Sequence, residues 1–544
     1  MQKLWSLFTS KNSLGVASII LVATTAMSRL MGIPRDYFLA QKIPSGDISI
    51  YNAGFLIPDF IVNILIIGAI SAAFIPVFIN YLSTKKKDQA FEIANQLLNI
   101  GLIIILVYSV LMFIFAPYVM KLLVPGFSGE RLADAVLISR ILIVNPIFFS
   151  LAYIFGGILN SFKRFLAYSL APIFYNLGII LGTVLFADEY GILAPAFGAI
   201  AGAFMHMLIQ AFPAFSLGYR YKFAINWKNK GVREIGHLML PRTIGLAASQ
   251  VSFIVIIAIA SMYDPEDIAL FIFANNIAAF IPSVFGVTLA IAVFPNLAEK
   301  IALNQRTGFA KTFSLVFRQI FFIVLPLIAL LLIFRAQAVR ILLGSGHFDW
   351  ENTVVTATIL GVMALYMFAQ SLIPLLARSF YAMKNTRTPV IISIVGIVIT
   401  ILSGLILAHG WNYAGQDIIP SMGVVGLGWA LSIGASIHLI WLFFALHSKI
   451  GKIEQKTNLL NISKVIFITL LMTAVAQSGK YLIEPILDTH TRLGLILQVG
   501  IVSIFALAVY IGISYLFKLP ELNKLSSFFK RKTRVKELTE AEQI

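Results

Sequence analysis

The chain has 544 residues, 59% hydrophobic and 12% charged, with a mean hydropathy of +0.90. That much apolar surface cannot be hidden in one water-soluble core, so the composition excludes a soluble globular protein and places the chain in a bilayer. The formal charge of +17 would suggest nucleic acid in a soluble protein, but here its distribution along the chain carries the information.

Apolar runs of about twenty residues, each long enough to cross about 30 Å of hydrocarbon, recur along nearly the whole length. In order they lie near 14–33, 51–79, 97–123, 136–160, 165–187, 192–217, 236–261, 268–294, 313–334, 354–381, 388–410, 422–446, 461–483 and 493–518. The predicted fold is an all-α polytopic membrane protein with about 14 transmembrane helices. The first run carries internal charge and lacks a small-residue cleavage site, so it reads as a retained helix and not a removed signal.

Basic residues collect in alternate loops, at Lys85 to Lys87, Lys163 and Arg164, Arg220 to Arg233, Lys300 to Lys311, Lys384 and Arg387, and Lys449 to Lys456. The intervening loops are short and mostly acidic, with Asp188, Glu189, Asp264, Glu266, Asp267, Asp349 and Glu351. The positive-inside rule then puts both termini in the cytoplasm, as an even number of crossings requires.

The polar connection at 218–235 follows the sixth span and divides the chain into an N-terminal six-helix lobe, 1–217, and a C-terminal one, 218–446. Two further helices occupy 461–518, and a basic tail, 519–544, is placed to lie against anionic lipid. Transporters are often built from such repeated halves around a central site. Gly178 with Gly182, and Gly198 with Gly202, form small-residue faces that let helices approach closely.

The chain has no cysteine, hence no disulfide and no thiolate chemistry. It shows no Gly-rich phosphate loop, no Ser-His-Asp set and no His/Asp/Glu cluster with metal-ligand spacing. No enzymatic activity, metal or cofactor is expected.

The chemistry resides in polar residues within the spans. The stretch SRLMGIPRD, Ser28 to Asp36, ends the first apolar run. A charge near the bilayer centre costs roughly 2.5 to 3.5 kcal/mol even on the lenient insertion scale, so such residues face protein or water. At 100° per residue Arg29 and Asp36 share one face, and Ser28 and Arg35 the next. Gly32 and Pro34 are expected to interrupt the helix there.

A second stripe follows, Asn52, Asp59 and Asn63, and later spans add Asn145, Asn160, Asn176, Gln250, Asn275, Asn276, Gln370 and Arg378. Each alone reads as an interhelical hydrogen-bonding residue; together they imply a hydrated cavity. Arginines in such a cavity suit an anionic substrate, a diphosphate above all, because guanidinium is a planar fork that stays charged when partly desolvated. Asp36 or Asp59 can hold an arginine in place when the site is empty. His206, alone in the sixth span, reads as a packing residue.

The stretches SRLMGIPRD at 28–36, AISAAFIPVF at 69–78, ILNSFKRF at 158–165 with a following Ala-Pro, LPRTIGLAASQ at 240–250 and LARSFYAMKNTRTP at 376–389 occur in one order across the chain. In them the chain resembles the MurJ (MviN) lipid II flippases of the multidrug/oligosaccharidyl-lipid/polysaccharide exporter superfamily. The resemblance implies a V-shaped pair of lobes around a cationic cavity, with the two terminal helices forming a groove for a polyprenyl tail. It implies that the lipid-linked peptidoglycan precursor, lipid II, crosses the bacterial inner membrane by alternating access, with a monomer sufficing. It assigns the headgroup diphosphate to Arg29 and Arg35, with Ser28 and Asp36 beside them.

The chain departs from the family where an arginine commonly follows the Pro-Asp pair of the second helix, which here leaves Val62 and Asn63. It departs again where the eighth helix commonly begins Ala-Asp-Arg, here Ala274, Asn275 and Asn276, and at Ser49 and Ala279, where acidic residues are usual. The cationic set is thus thinned to Arg29 and Arg35, supported by Arg242 and Arg378, with Asn52, Asp59, Asn63, Asn275 and Asn276 as further cavity groups. Two alternatives stay open: a flippase for another polyprenyl-diphosphate glycan, and a non-transporting membrane scaffold. With no ATP-binding motif, transport would draw on the membrane potential or an ion gradient.

Overall fold

The structure is a computed structural model that describes residues 14–67, 73–84, 86–413, 416–451 and 455–522. It is almost wholly helical. The helices in chain order are α1 (Leu14–Lys42), α2 (Ser45–Gly54), α3 (Leu56–Ile61), a π-helix (Val62–Ile67), α4 (Ile75–Ser83), α5 (Lys87–Leu123), α6 (Gly129–Leu142), α7 (Asn145–Ser161), α8 (Phe165–Tyr190), α9 (Leu193–Ser216), α10 (Lys230–Ala260) and α11 (Asp267–Ala278). A second π-helix (Pro282–Val287) leads to α12 (Thr288–Ala302), α13 (Arg306–Ile333), α14 (Arg335–Leu343), α15 (Trp350–Val362), α16 (Ala364–Ala382) and α17 (Arg387–His409). A short antiparallel hairpin, β1 (Trp411–Tyr413) and β2 (Gln416–Ile419), precedes α18 (Gly423–Ile450), α19 (Gln455–Ile483) and α20 (Arg492–Leu516).

Among the described residues ten helices are long and apolar enough to cross a membrane, and α15 with α16, bent by 47°, makes an eleventh if the pair is one span. The chain is therefore a multi-pass membrane protein. The expected spans at 14–33, 51–79 and 236–261 lie partly outside the described residues or side chains, and the basic tail beyond Leu522 lies outside them altogether.

Two expectations for the first spans need correction. Pro34 does not interrupt α1, which continues through it to Lys42. One proline removes one backbone bond, and the bonds on either side, with α1 packed along α8, carry the helix through. The second polar stripe, in contrast, is not borne by one regular helix. Pro58 has no N–H for the Gly54 carbonyl, so α2 ends at Gly54 and the Phe55 N–H turns back to the Asn52 carbonyl at 3.2 Å. Gly54 also lets α6 approach this break, because a β-carbon there would stand 2.4 Å from the Ile138 side chain. The Tyr108 hydroxyl donates to the Ile57 carbonyl at 2.7 Å, and the chain then widens into the π-helix that carries Asn63.

The chain divides into two compact units, each discontinuous in sequence. The first comprises Met1–Phe273, Leu342–Val355 and Ile401–Leu427. Its aromatic core gathers Phe74, Phe78, Phe91, Phe155 and Tyr219, the last fully buried. The small-residue faces of α8 and α9 meet as expected: a β-carbon on Gly178 would lie 2.4 Å from the Gly202 Cα, and one on Gly182 would lie 2.7 Å from the Gly198 Cα.

The second unit comprises Ala274–Ile341, Thr356–Thr400 and Gly428–Ile544. There α19 and α20 pack on α13 through Val465, Ile468, Met472, Ala506 and Tyr510, and the Tyr510 hydroxyl donates to the Phe322 carbonyl at 2.9 Å. Beyond α20 the chain turns back, and Arg318 Nε on α13 donates to Glu521 Oε1 at 2.7 Å, the two side chains being 13% and 2% exposed.

Candidate substrate cavity in the first unit

Helix α1 brings Ser28 and Arg29 to one wall of a cavity of about 190 Å3 within the first unit. Tyr153 of α7, Tyr168, Ser169 and Pro172 of α8, and His206 and Gln210 of α9 complete the lining. Arg29 is exposed, so its guanidinium is available to a ligand, whereas His206 and Gln210 are buried. The His206 ring meets Phe149 edge-on at 5.2 Å, and Gln210 Nε2 donates to the His206 carbonyl at 3.1 Å. Gly156 makes room for this amide, since a β-carbon there would lie 2.4 Å from Gln210 Oε1.

Two turns along α1, Arg35 is held by three hydrogen bonds to two partners. Its Nε and Nη2 donate to Asp36 Oδ1 at 2.9 and 2.7 Å, and its Nη1 donates to Asn176 Oδ1 of α8 at 3.2 Å. The Arg35 and Asp36 side chains are 26% and 12% exposed, so the pair is neither freely solvated nor sealed. Asn176 is itself oriented by donating to the Pro172 carbonyl at 3.0 Å, and Pro172 lines the cavity around Arg29. Tyr51 and Tyr175 stand within electrostatic reach of Arg35, and Asp59 within reach of both tyrosines.

The structure thus brings Ser28 and Arg29 together in one cavity and fixes Arg35 with Asp36 nearby. Asn52, Asp59 and Asn63 belong to the same unit and are half-buried. Asn275, Asn276 and Arg378 belong to the second unit, where the Arg378 guanidinium lies 5.8 Å from the Phe294 ring. The Arg242 side chain lies outside the described residues.

Sequence reading passed over Tyr153, Tyr168, Ser169, Gln210 and the cavity-facing position of His206. The available signal was the concentration of hydroxyls and a proline in Tyr168, Ser169 and Pro172, one helix turn from Asn176. Spacing alone cannot show that α1, α7, α8 and α9 converge.

The family model described as lipid II flippase MurJ matches residues 45–493. A protein of Borreliella burgdorferi named probable lipid II flippase MurJ is 25% identical over 516 residues, covering 93% of this chain and 98% of its own. The lipid II flippase MurJ of Burkholderia cenocepacia is 24% identical over 434 residues, covering 78% and 82%. Among solved structures, a lipid II flippase MurJ in an inward closed conformation superposes with a TM-score of 0.75 at 23% identity, covering 91% of this chain and 99% of that one. An inward-facing multidrug transporter of the MATE family superposes at 0.67 with 13% identity, covering 80% and 99%. At these identities the superpositions establish the fold, and the family model establishes the lineage. The chain belongs to the lipid II flippase MurJ family.

Proposed function

We infer that this chain moves lipid II, the lipid-linked peptidoglycan precursor, across the bacterial cytoplasmic membrane by alternating access. The observation that carries the reading is the exposed Arg29 on the wall of a cavity where it meets the polar groups of Tyr168, Ser169 and Gln210, close along α1 to an Arg35 clamped by Asp36 and Asn176. Arginine in such a cavity binds diphosphate oxygens in a planar, two-point geometry and keeps its charge on partial desolvation. Arg29 is the exposed contact in this scheme and Arg35 the fixed one.

The cycle uses fourteen crossings with both termini in the cytoplasm, as the alternation of basic and acidic loops supports. The segment 461–518 offers the lipid tail a groove. Asn63 and Asn276 take over headgroup contacts that arginines make elsewhere in the family. A monomer suffices, and the membrane potential or an ion gradient supplies the drive, the potential being worth about 2.3 kcal/mol per charge per 100 mV.

Complementation in a bacterium depleted of its own lipid II flippase tests the proposal. The wild-type chain restores growth, and Arg29→Ala at matched membrane level fails to do so. A well-inserted wild-type chain that does not rescue would move the substrate to another polyprenyl-diphosphate glycan, a reading that the absence of arginine at Asn63 and Asn276 favours. Rescue by Arg29→Ala would remove that residue from the binding site.

A further inference from the structure

The connection between α9 and α10 is held in an unusual way. Residues 219–226 carry no helix or strand, yet their backbone is tied to two asparagines one turn apart on α5. Asn95 Nδ2 donates to the Arg220 carbonyl at 3.0 Å, and Asn99 Nδ2 donates to the Lys222 and Ala224 carbonyls at 3.1 and 3.0 Å. In return Asn95 Oδ1 accepts from the Tyr219 hydroxyl at 2.6 Å and the Lys222 N–H at 3.2 Å, and Asn99 Oδ1 accepts from the Tyr221 hydroxyl at 2.9 Å. Asn95 and Asn99 are 3% and 2% exposed, so this is a rigid rack and not a surface coincidence.

The rack fixes the depth of the segment. Helix α5 has 37 residues, about 55 Å of length against about 30 Å of hydrocarbon, so part of it projects beyond the membrane. Its lipid-facing run, with Ile103, Ile104, Leu106 and Val107 all exposed, begins just after Asn99. With the apolar run starting near residue 97, Asn95 and Asn99 stand within about 3 Å on either side of the hydrocarbon edge, by a rise of 1.5 Å per residue. The headgroup layer on each side is about 5 to 8 Å thick, so the tied segment runs at headgroup level.

What the segment presents there matches that level. Phe223 is 74% exposed, Trp227 58% and Tyr221 52%, large areas of aromatic surface for a water-facing loop. Interleaved with them are Arg220, Lys222, Lys228 and Lys230, with no acidic residue between Tyr219 and Arg233. Aromatic side chains favour the membrane interface, and lysines and arginines beside them favour anionic headgroups.

We propose that residues 220–230 form a docking element for anionic phospholipid, with Phe223 and Trp227 seated at the acyl boundary and the lysines on the headgroups. The element anchors the α9 to α10 connection to the leaflet and is independent of what is transported.

The absence of native cysteine allows a direct test. Full-length Phe223→Cys, carrying a nitroxide or an environment-sensitive fluorophore, is reconstituted in bilayers of phosphatidylcholine alone or with phosphatidylglycerol. The expected result is shielding of the label from an aqueous collider and quenching by lipid-borne bromine, both stronger with phosphatidylglycerol. Replacing Lys222, Lys228 and Lys230 by Gln weakens that preference about fivefold per lysine removed. A label equally open to water in both bilayers overturns the proposal, as does shielding indifferent to phosphatidylglycerol. Shielding that arises only when a soluble protein fraction is added assigns the surface to a protein partner and equally overturns it. Because the Phe223 side chain is exposed and makes none of the rack's hydrogen bonds, the label leaves the fold intact.

Discussion

Gly202→Val is expected to abolish accumulation of folded protein, while Gly500→Val leaves it unchanged. A β-carbon on Gly202 would lie 2.4 Å from the Tyr175 carbonyl oxygen and 3.1 Å from both the Tyr175 Cα and carbonyl carbon. These are backbone atoms of α8, so no side chain can swing aside. The two helices would have to separate, and with them would go the neighbouring contact of Gly182 on Gly198. Overpacking of this kind costs about 3 kcal/mol or more where the backbone cannot yield. At Gly500 of α20 an added β-carbon would meet nothing within 4 Å. Thermal unfolding followed by fluorescence-detected size exclusion separates the two cases, and equal stability of both variants would refute the close α8–α9 contact. Separation of α8 from α9 also dismantles the cavity wall, because Tyr168 and Ser169 lie on one helix and His206 and Gln210 on the other.

Arg35→Ala is expected to lower stability by about 3 kcal/mol and to abolish transport, and the two losses can be separated. Removing one partner of a buried pair leaves the other charge desolvated, and the cost stays near the low end of about 3 to 5 kcal/mol because Arg35 is 26% exposed. The double variant Arg35→Ala with Asp36→Asn removes both charges and should regain most of the stability, yet remain unable to rescue a flippase-depleted strain. Arg35→Lys keeps the charge but replaces a fork that reaches Asp36 and Asn176 together with a single ammonium point, so its rescue should be partial. Full rescue by the double variant would reduce Arg35 to a structural residue and leave the diphosphate to Arg29.

Much of the membrane architecture was legible because apolar length and small-residue spacing act locally. The Gly178, Gly182, Gly198 and Gly202 pattern marked two faces for close helix approach, and the structure shows that these faces meet each other. The stretch SRLMGIPRD pointed to Arg29 and Arg35 for a similar reason: charges at that depth need partners, and the structure supplies Asp36 and Asn176 for Arg35. The second polar stripe misled because helical spacing was extended through Pro58, where the backbone hydrogen-bond ladder stops. His206 read as packing, and it does pack on Phe149, but only tertiary convergence reveals that its other side borders the cavity. The rack of Asn95 and Asn99 escaped for the same cause, its partners lying more than 120 residues away.

The fold-back of the chain after α20 sets where the protein can be shortened. Hydropathy would place the end of the structured region at Leu516, yet the Glu521 carboxylate faces Arg318 from a position where only 2% of its side chain is exposed, and Leu519 is as deeply buried. A stop codon or protease site placed directly after the last helix would therefore remove part of the second unit's interior. Affinity tags and fluorescent fusions inserted between Leu516 and Leu522 would break into that interior.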